Sequence, residues 1–325
     1  MDELRIIDIG PLFTDDASDR RRVDDEIGAA ITAHGGFVVR NLPHAEQIDE
    51  LGATMLRFFD LDLETKRSVA SKSSWPDGPT VYRGYKASLE PGAWAYNEMY
   101  DIGPDDPHPA PDVVGMHHFA EASAYPAVEP CVGWRDAIRT YFRVMTDIGV
   151  AVMRSAGRSV GVDDARLAAG FTAGNHTLRL LNYPTRPEGH ITRDEIGDPD
   201  GPRIAAARHC DASGVSLLWQ LQAGLQAQAP DGTWRSIPLA PNSVSVHLGT
   251  VLELMTSGRV PATPHRVLDL GGPRQSVGFF VEPALATRLA PLDVDDADIT
   301  TSYGWHLQER FHKMTGYGEL VPAPA

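Results

Sequence analysis

Cysteine is scarce, with only Cys131 and Cys210 in 325 residues. Two thiols make no disulfide framework, so the fold must rest on its core, and the pattern suits a reducing compartment. Basic residues are also in deficit, 29 against 44 acidic, for a net charge of −15. That balance speaks against nucleic acid as a partner, which would need clustered Lys/Arg, and favours solubility. No apolar run approaches the roughly 20 residues of a membrane span. The N-terminus, Met1-Asp2-Glu3-Leu4, lacks a basic stretch followed by an apolar one, which predicts a cytoplasmic protein. No repeat, low-complexity tract or linker interrupts the chain. What is abundant is apolar: 42% hydrophobic residues suffice for a sizeable core. The expectation is one domain over 1–325.

In chain order, two periodicities alternate. Ile6 to Leu12 reads as a strand stopped by Gly10-Pro11. Val23 to Ala33 reads as a helix closed by Gly35-Gly36, and Phe37-Val38-Val39 as a strand. Ile48, Leu51, Met55, Phe58 and Phe59 mark the buried face of a helix over 45–59, followed by a short polar helix at 63–67. Pro, Gly and aromatics fill 71–127, which predicts short strands and loops. Trp134 to Gly157 is the longest helix candidate, with Ile138, Tyr141, Phe142, Met145, Ile148 and Val152 along one side. Thr177 to Pro184 is a strand, and Glu188 to Pro202 a polar loop. From Ala206 to Glu282 short apolar segments alternate with turn signals such as Pro230-Asp231-Gly232. A last helix is expected over 302–314. The resulting class is mainly β with flanking helices: an N-terminal α/β region (1–127), a long spine helix and a β core (172–285).

His209-Cys210-Asp211 followed much later by His265 offers two imidazoles and one carboxylate. That donor set suits non-haem Fe(II) with open coordination positions. On a strand, His209 and Asp211 share a side while Cys210 points away, so a second strand must bring in His265. Cys210 is the alternative third ligand, but strand alternation makes a small buried hydrophobe its expected role. His247, in the strand-like run Ser243 to Leu248, competes with His265. His117-His118 cannot both face one site on a strand, and His306 and His312 fall in a polar helix.

The ordered landmarks resemble the isopenicillin N synthase-like family of 2-oxoglutarate- and Fe(II)-dependent oxygenases over nearly the whole chain. They are the Ile6-Ile7-Asp8-Ile9 strand, Gly36 to Val39, Phe58-Phe59 with Leu63 to Arg67, Tyr82-Arg83-Gly84-Tyr85, Glu98 to Gly103, and Leu178-Arg179 with Asn182-Tyr183-Pro184. In the core they are His209-Cys210-Asp211, Leu217 to Gln220, Gly224-Leu225-Gln226, His265-Arg266-Val267, Arg274-Gln275-Ser276 and Phe279 to Pro283. The His-Arg-Val context and its distance to Arg274 favour His265 over His247. The resemblance implies a double-stranded β-helix, or jelly roll, with Fe(II) on His209, Asp211 and His265. It also implies 2-oxoglutarate as cosubstrate, O2 as oxidant, and release of succinate and CO2. Arg274 is the natural partner for the cosubstrate's far carboxylate, because guanidinium grips a carboxylate through two hydrogen bonds. Ser276, two residues on, can add another, and by similarity so can Tyr183.

Two departures stand out. Aligned on Pro184, Leu181 takes a position where relatives often carry Asn, and Gly249-Thr250 replaces the usual Gly-Asp. With Asp211 present, the resemblance implies hydroxylation, desaturation or cyclisation rather than halogenation. The substrate is expected to be a small molecule, in specialised metabolism, bound near Arg83, Tyr85, Trp94, Tyr96, Asn97 and Phe280, with Arg83 suited to a carboxylate. An oxidase that uses no 2-oxoglutarate is the rival within the family. A non-catalytic or hydrolytic metal-binding jelly roll is the rival outside it. The segments 188–202 and 302–314 are candidate lids.

Overall fold

The computed structural model describes residues 4–107, 115–197, 201–293, 301–314 and 316–324. The chain begins with β1 (Ile6–Asp8), shorter than its apolar run because Gly10–Phe13 turns into a 3-10 helix at the Gly-Pro pair. α1 (Ala17–His34) starts well before the apolar periodicity does, because the Asp16 side chain caps the backbone N–H groups of Ser18 and Asp19. It ends at Gly35, whose φ of 72° is the left-handed cap glycine accepts without strain. β2 (Gly36–Arg40) follows. The expected 45–59 helix is α2 (Ile48–Leu56) flanked by two 3-10 turns, Ala45–Gln47 and Arg57–Asp60. α3 (Leu63–Arg67), β3 (Gly84–Ser88) and β4 (Asn97–Ile102) complete the N-terminal region.

α4 (Trp134–Ser159) is the spine, and α5 (Asp164–Ala169), which the sequence pattern did not reveal, follows it. Then come β5 (Thr177–Tyr183), α6 (Arg193–Gly197), β6 (Ile204–His209), β7 (Val215–Gln220), β8 (Leu225–Gln228), β9 (Trp234–Ser236) and β10 (Val244–Leu248). α7 (Thr250–Met255), β11 (His265–Leu268), β12 (Arg274–Val281) and α8 (Tyr303–His312) complete the fold. α6 lies within the segment expected to be loop, of which 198–200 fall outside the described residues. α7 is too short for periodicity to distinguish it from a strand.

Two sheets result, in the orders β1-β2-β10-β7-β12-β5-β4-β3 and β6-β11-β8-β9. This is the expected double-stranded β-helix core with flanking helices. Strand alternation divides the larger sheet. Leu178, Leu180, Leu217, Val277, Phe279 and Val281 face outward and pack with Ile138, Tyr141, Met145, Ile148 and Val152 of α4. Leu181, Tyr183 and Leu218 face inward, against Ala206, Leu225 and Val267 of the smaller sheet. Burying each large apolar side chain contributes about 1.5–3 kcal/mol, so the spine fixes the outer face and frees the inner one for function. Among the described residues, no helix is long and apolar enough to cross a membrane.

Candidate metal centre

His209 ends β6, His265 opens β11, and the two are paired directly across the smaller sheet. Asp211 lies just beyond the strand rather than in it, yet its carboxylate returns between the imidazoles. His209 Nε2 is 3.6 Å from Asp211 Oδ1, and His265 Nε2 is 3.6 Å from Asp211 Oδ2. One potential ligand atom from each residue lies within 4.8 Å of the others. Both Nδ1 atoms are already engaged, His209 on the carbonyl of Ala207 at 2.8 Å and His265 on that of Thr263 at 3.1 Å. A carbonyl only accepts, so each Nδ1 carries the proton and each Nε2 presents a lone pair.

Charge states agree with that geometry. Burial, aided by the neighbouring His265, pushes His209 down to about 4. Burial alone would raise Asp211, but the adjacent His265 and His209 and the Ser216 hydroxyl outweigh it and hold the carboxyl at about 2. At neutral pH these two residues are thus a neutral imidazole and a carboxylate. His247 is fully buried behind the trio, its ring 4.6 Å from that of His265, with Nε2 at 3.2 Å from Ser245 Oγ. It does not belong to the ligand cluster. Cys210 is half-buried and likewise outside it.

Two bonds orient Asp211. Ser216 donates to Oδ2 at 2.6 Å and, having one hydrogen, must accept from Ser213 at 3.0 Å. The Asp211 carbonyl accepts the N–H of Thr250 at 2.8 Å. Any residue supplies that N–H, so the Thr at this position costs nothing. Gly249 is required instead, since a Cβ there would collide with the carbonyl oxygen of Ser213. Replacing Ser216 by Ala should weaken divalent-metal binding about ten- to a hundredfold, with Ser216→Thr restoring it. Calorimetric titration with Mn(II) checks this, and unaltered affinity in Ser216→Ala would remove the residue from the site.

The trio opens into a cavity that is also lined by Arg274, Ser276, Tyr183, Asn97, Trp94 and Phe280. Arg274 and Ser276 share the inner face of β12, and Arg274 is paired across the sheet with Tyr183. Arg274 Nη1 donates to Ser276 Oγ at 2.9 Å, and Nη2 to Gln220 Oε1 at 3.1 Å. Nε is buried without any acceptor, and no carboxylate pairs with this guanidinium among the described residues. A buried cation with a spare donor, facing a cavity beside a metal-binding trio, fits an anionic ligand such as a dicarboxylate.

Leu181 faces the cavity. The neighbouring Asn182 points to the opposite side, where it donates to Glu98 Oε2 at 2.8 Å. Trp94 meets the ring of His209 edge-on at 4.7 Å. Tyr96 lies in the adjoining cavity beyond Tyr183 and Arg274, and its ring packs on His190. Two expected substrate residues lie elsewhere. Arg83 is 1% exposed and spends its guanidinium on the carbonyls of Phe119, Asn175 and His176, a strut between loops. Tyr85 is buried and donates to Glu98. The inward residues that sequence reasoning missed are Arg179 and Gln220. Period-two spacing from Tyr183 and Leu181 identifies the first, and cross-strand pairing with Ser276 the second.

Residues 175–283 match the family model of the 2OG-Fe(II) oxygenase superfamily, and 4–122 match that of the non-haem dioxygenase in morphine synthesis N-terminal region. The chain belongs to the 2OG-Fe(II) oxygenase superfamily. It is 29% identical over 313 residues to isopenicillin N synthase of Streptomyces clavuligerus, covering 93% of this chain and 92% of the relative. It is 25% identical over 325 residues to jasmonate-induced oxygenase 3 of Arabidopsis thaliana, covering 96% and 82%. The fold is shared with dioxygenase for auxin oxidation 1 of Arabidopsis thaliana, solved with 2-oxoglutarate. The TM-score is 0.65 at 20% identity, covering 92% of this chain and 100% of that one. As a superfamily member the protein is a 2-oxoglutarate-dependent dioxygenase that uses Fe(II) and O2, and the superfamily acts on small molecules.

Acid should destabilise this superfamily member through its buried histidines. His209 and His176 are both held at about 4 by burial, well below the ordinary 6.5. The unfolded chain therefore takes up protons before the folded one does. Their stabilising contribution is complete above about 6.5 and is lost as pH falls towards about 4. The urea midpoint of the metal-free protein should fall across that window, and a flat profile would contradict the assignment.

Proposed function

We propose that the protein oxidises a small, largely apolar molecule by hydroxylation, desaturation or cyclisation. In this reading Fe(II) is held by His209, Asp211 and His265, and the far carboxylate of 2-oxoglutarate by Arg274 and Ser276, with Tyr183 beside them. The observation that carries it is the guanidinium of Arg274, buried in the same cavity as the trio with no carboxylate partner among the described residues. Bound there, Fe(II), 2-oxoglutarate and O2 supply a two-electron oxidation with release of succinate and CO2.

The chain supplies binding, orientation and exclusion of water. The carbonyls of Ala207 and Thr263 fix the imidazole tautomers, and Ser216 fixes the carboxylate. Arg274, clamped by Ser276 and Gln220, is pre-set for a carboxylate. Met99, Leu181, Leu218, Leu225, Val267 and Phe280 line the cavity and keep it apolar.

Anaerobic addition of Fe(II), then 2-oxoglutarate, should bring up a weak visible charge-transfer band. Oxygenation should then yield succinate. Iron binding without band or succinate would make the protein an oxidase of the isopenicillin N synthase type, with Arg274 turned to the substrate. No iron binding at all would end the proposal.

A further inference from the structure

The inner face of the larger sheet carries a second guanidinium. Arg179 lies on β5 opposite Gly278 of β12, whereas Arg274 lies opposite Tyr183. Gly278 is four residue steps along the strand from Arg274, about 13 Å. The two arginines therefore face the cavity at separate stations, and both line it together with the metal trio. Gly278 leaves the floor beside Arg179 free of a side chain.

Arg179 is anchored by Asp101, its direct cross-strand neighbour. Nε reaches Oδ1 at 2.6 Å and Nη2 reaches Oδ2 at 2.8 Å. Those bonds use one edge of the guanidinium and leave Nη1 without a hydrogen-bond partner among the described residues. The anchor does not cancel the charge, because Lys86 Nζ also sits on Asp101, at 2.8 Å. Two cations on one carboxylate leave a net positive charge at the wall. The Arg179 plane lies against Phe280, 5.2 Å from the ring centroid, and its side chain keeps 32% exposure. A rigidly held, partly accessible cation on an otherwise apolar wall is an expensive feature unless it meets an anion.

A second cavity adjoins the first through Arg179, Asp211 and Phe280, and extends beneath α8. Arg310 and Phe311 of α8 line it. Arg310 is exposed, and among the described residues its side chain has no ion-pair or hydrogen-bond partner. Two acids line this cavity and both are engaged: Asp211 by Ser216 and the two imidazoles, and Glu282 by Tyr303, which donates to one oxygen, and Thr177, which donates to the other, at 2.5 and 2.7 Å. Burial also raises the proton affinity of Glu282. Two arginines with spare donors thus face a space contiguous with the metal centre.

We propose that Arg179, with Arg310 from α8, receives a carboxylate of the substrate, whose apolar body lies along Phe280 towards the metal trio. The substrate class is therefore an amphipathic carboxylic acid, and the carboxylate selectivity first ascribed to Arg83 belongs to Arg179. This rests on the function proposed above, because it assigns the Arg274 end to the cosubstrate.

The test is anaerobic calorimetry of the Fe(II) protein saturated with 2-oxoglutarate, titrated with 4-phenylbutyrate, octanoate and their primary amides. Each acid should bind about tenfold or more tightly than its amide, the worth of one charge-assisted contact. Arg179→Gln should erase that preference without changing affinity for the amide or for 2-oxoglutarate, and Arg179→Lys should keep part of it. If Arg179→Gln does not fold, Arg310→Gln on the exposed helix should reduce the preference in its place. Acids and amides binding alike, neither binding, or a preference that survives in both glutamine variants would each overturn the assignment. Failure of the cosubstrate reading shows separately, as absent 2-oxoglutarate binding. The acid–amide comparison then decides this inference on the Fe(II) protein alone.

Discussion

Arg274→Met should abolish useful 2-oxoglutarate binding while leaving the ligand-free protein as stable as the native one, or more so. The two effects have opposite signs because the guanidinium is buried without a carboxylate partner. Its contacts are Ser276 and Gln220, both neutral, and its Nε is unmatched. Keeping such a charge out of water costs several kcal/mol, and burial accordingly lowers its affinity for the proton. An apolar side chain of similar length removes that cost. Binding loses the charge-assisted pair, a loss of about 2–5 kcal/mol, or roughly thirty- to several-thousandfold in affinity. Calorimetry with 2-oxoglutarate and thermal unfolding with and without it read both signs. Native cosubstrate affinity in Arg274→Met would refute the assignment outright.

His265→Ala and His247→Ala should fail in different ways, although the rings pack 4.6 Å apart. His265 presents a free Nε2 to the cluster, so its loss should reduce metal affinity by more than the ten- to hundredfold expected of a supporting residue. His247 is 1% exposed and makes its one polar contact to Ser245. Truncating it empties core volume, costing about 2–4 kcal/mol of stability, with metal binding retained in the folded fraction. Mn(II) titration beside urea unfolding separates the two. Metal loss in His247→Ala at full stability would exchange their roles.

Much of this site was legible without coordinates because its chemistry is local or strand-periodic. The His209–Asp211 pair is recognisable from residue type and close spacing, His265 from its His-Arg-Val context, and Arg274 with Ser276 from a strand period of two. Leu181, aligned with the usual Asn position, faces the cavity, whereas Asn182 is one step along, and one step on a strand reverses the face. Segments read by periodicity alone were less secure. α1 began earlier than its apolar stripe because a cap, not a hydrophobe, starts it. α5 and α7, at six residues each, are too short for a helical period to be seen.

Substrate residues were the least legible. Arg83 and Tyr85 occur beside the right strands, yet one is spent on backbone carbonyls and the other on Glu98. Arg179 stood only as a landmark beside Leu178, with no role attached. Period-two spacing from Leu181 turns it to the inner face, and the pairing of β4, β5 and β12 shows that Asp101 holds it and Phe280 stacks on it.

The sequence by itself determined the fold class and picked out His209, Asp211 and His265 as candidate metal ligands and Arg274 with Ser276 as a candidate clamp, because residue type, spacing and the order of the landmarks are all written in the chain. Tertiary structure alone decided which cations are consumed by the protein and which remain for a ligand. That depends on partners brought together from distant segments, and neither period nor composition records them.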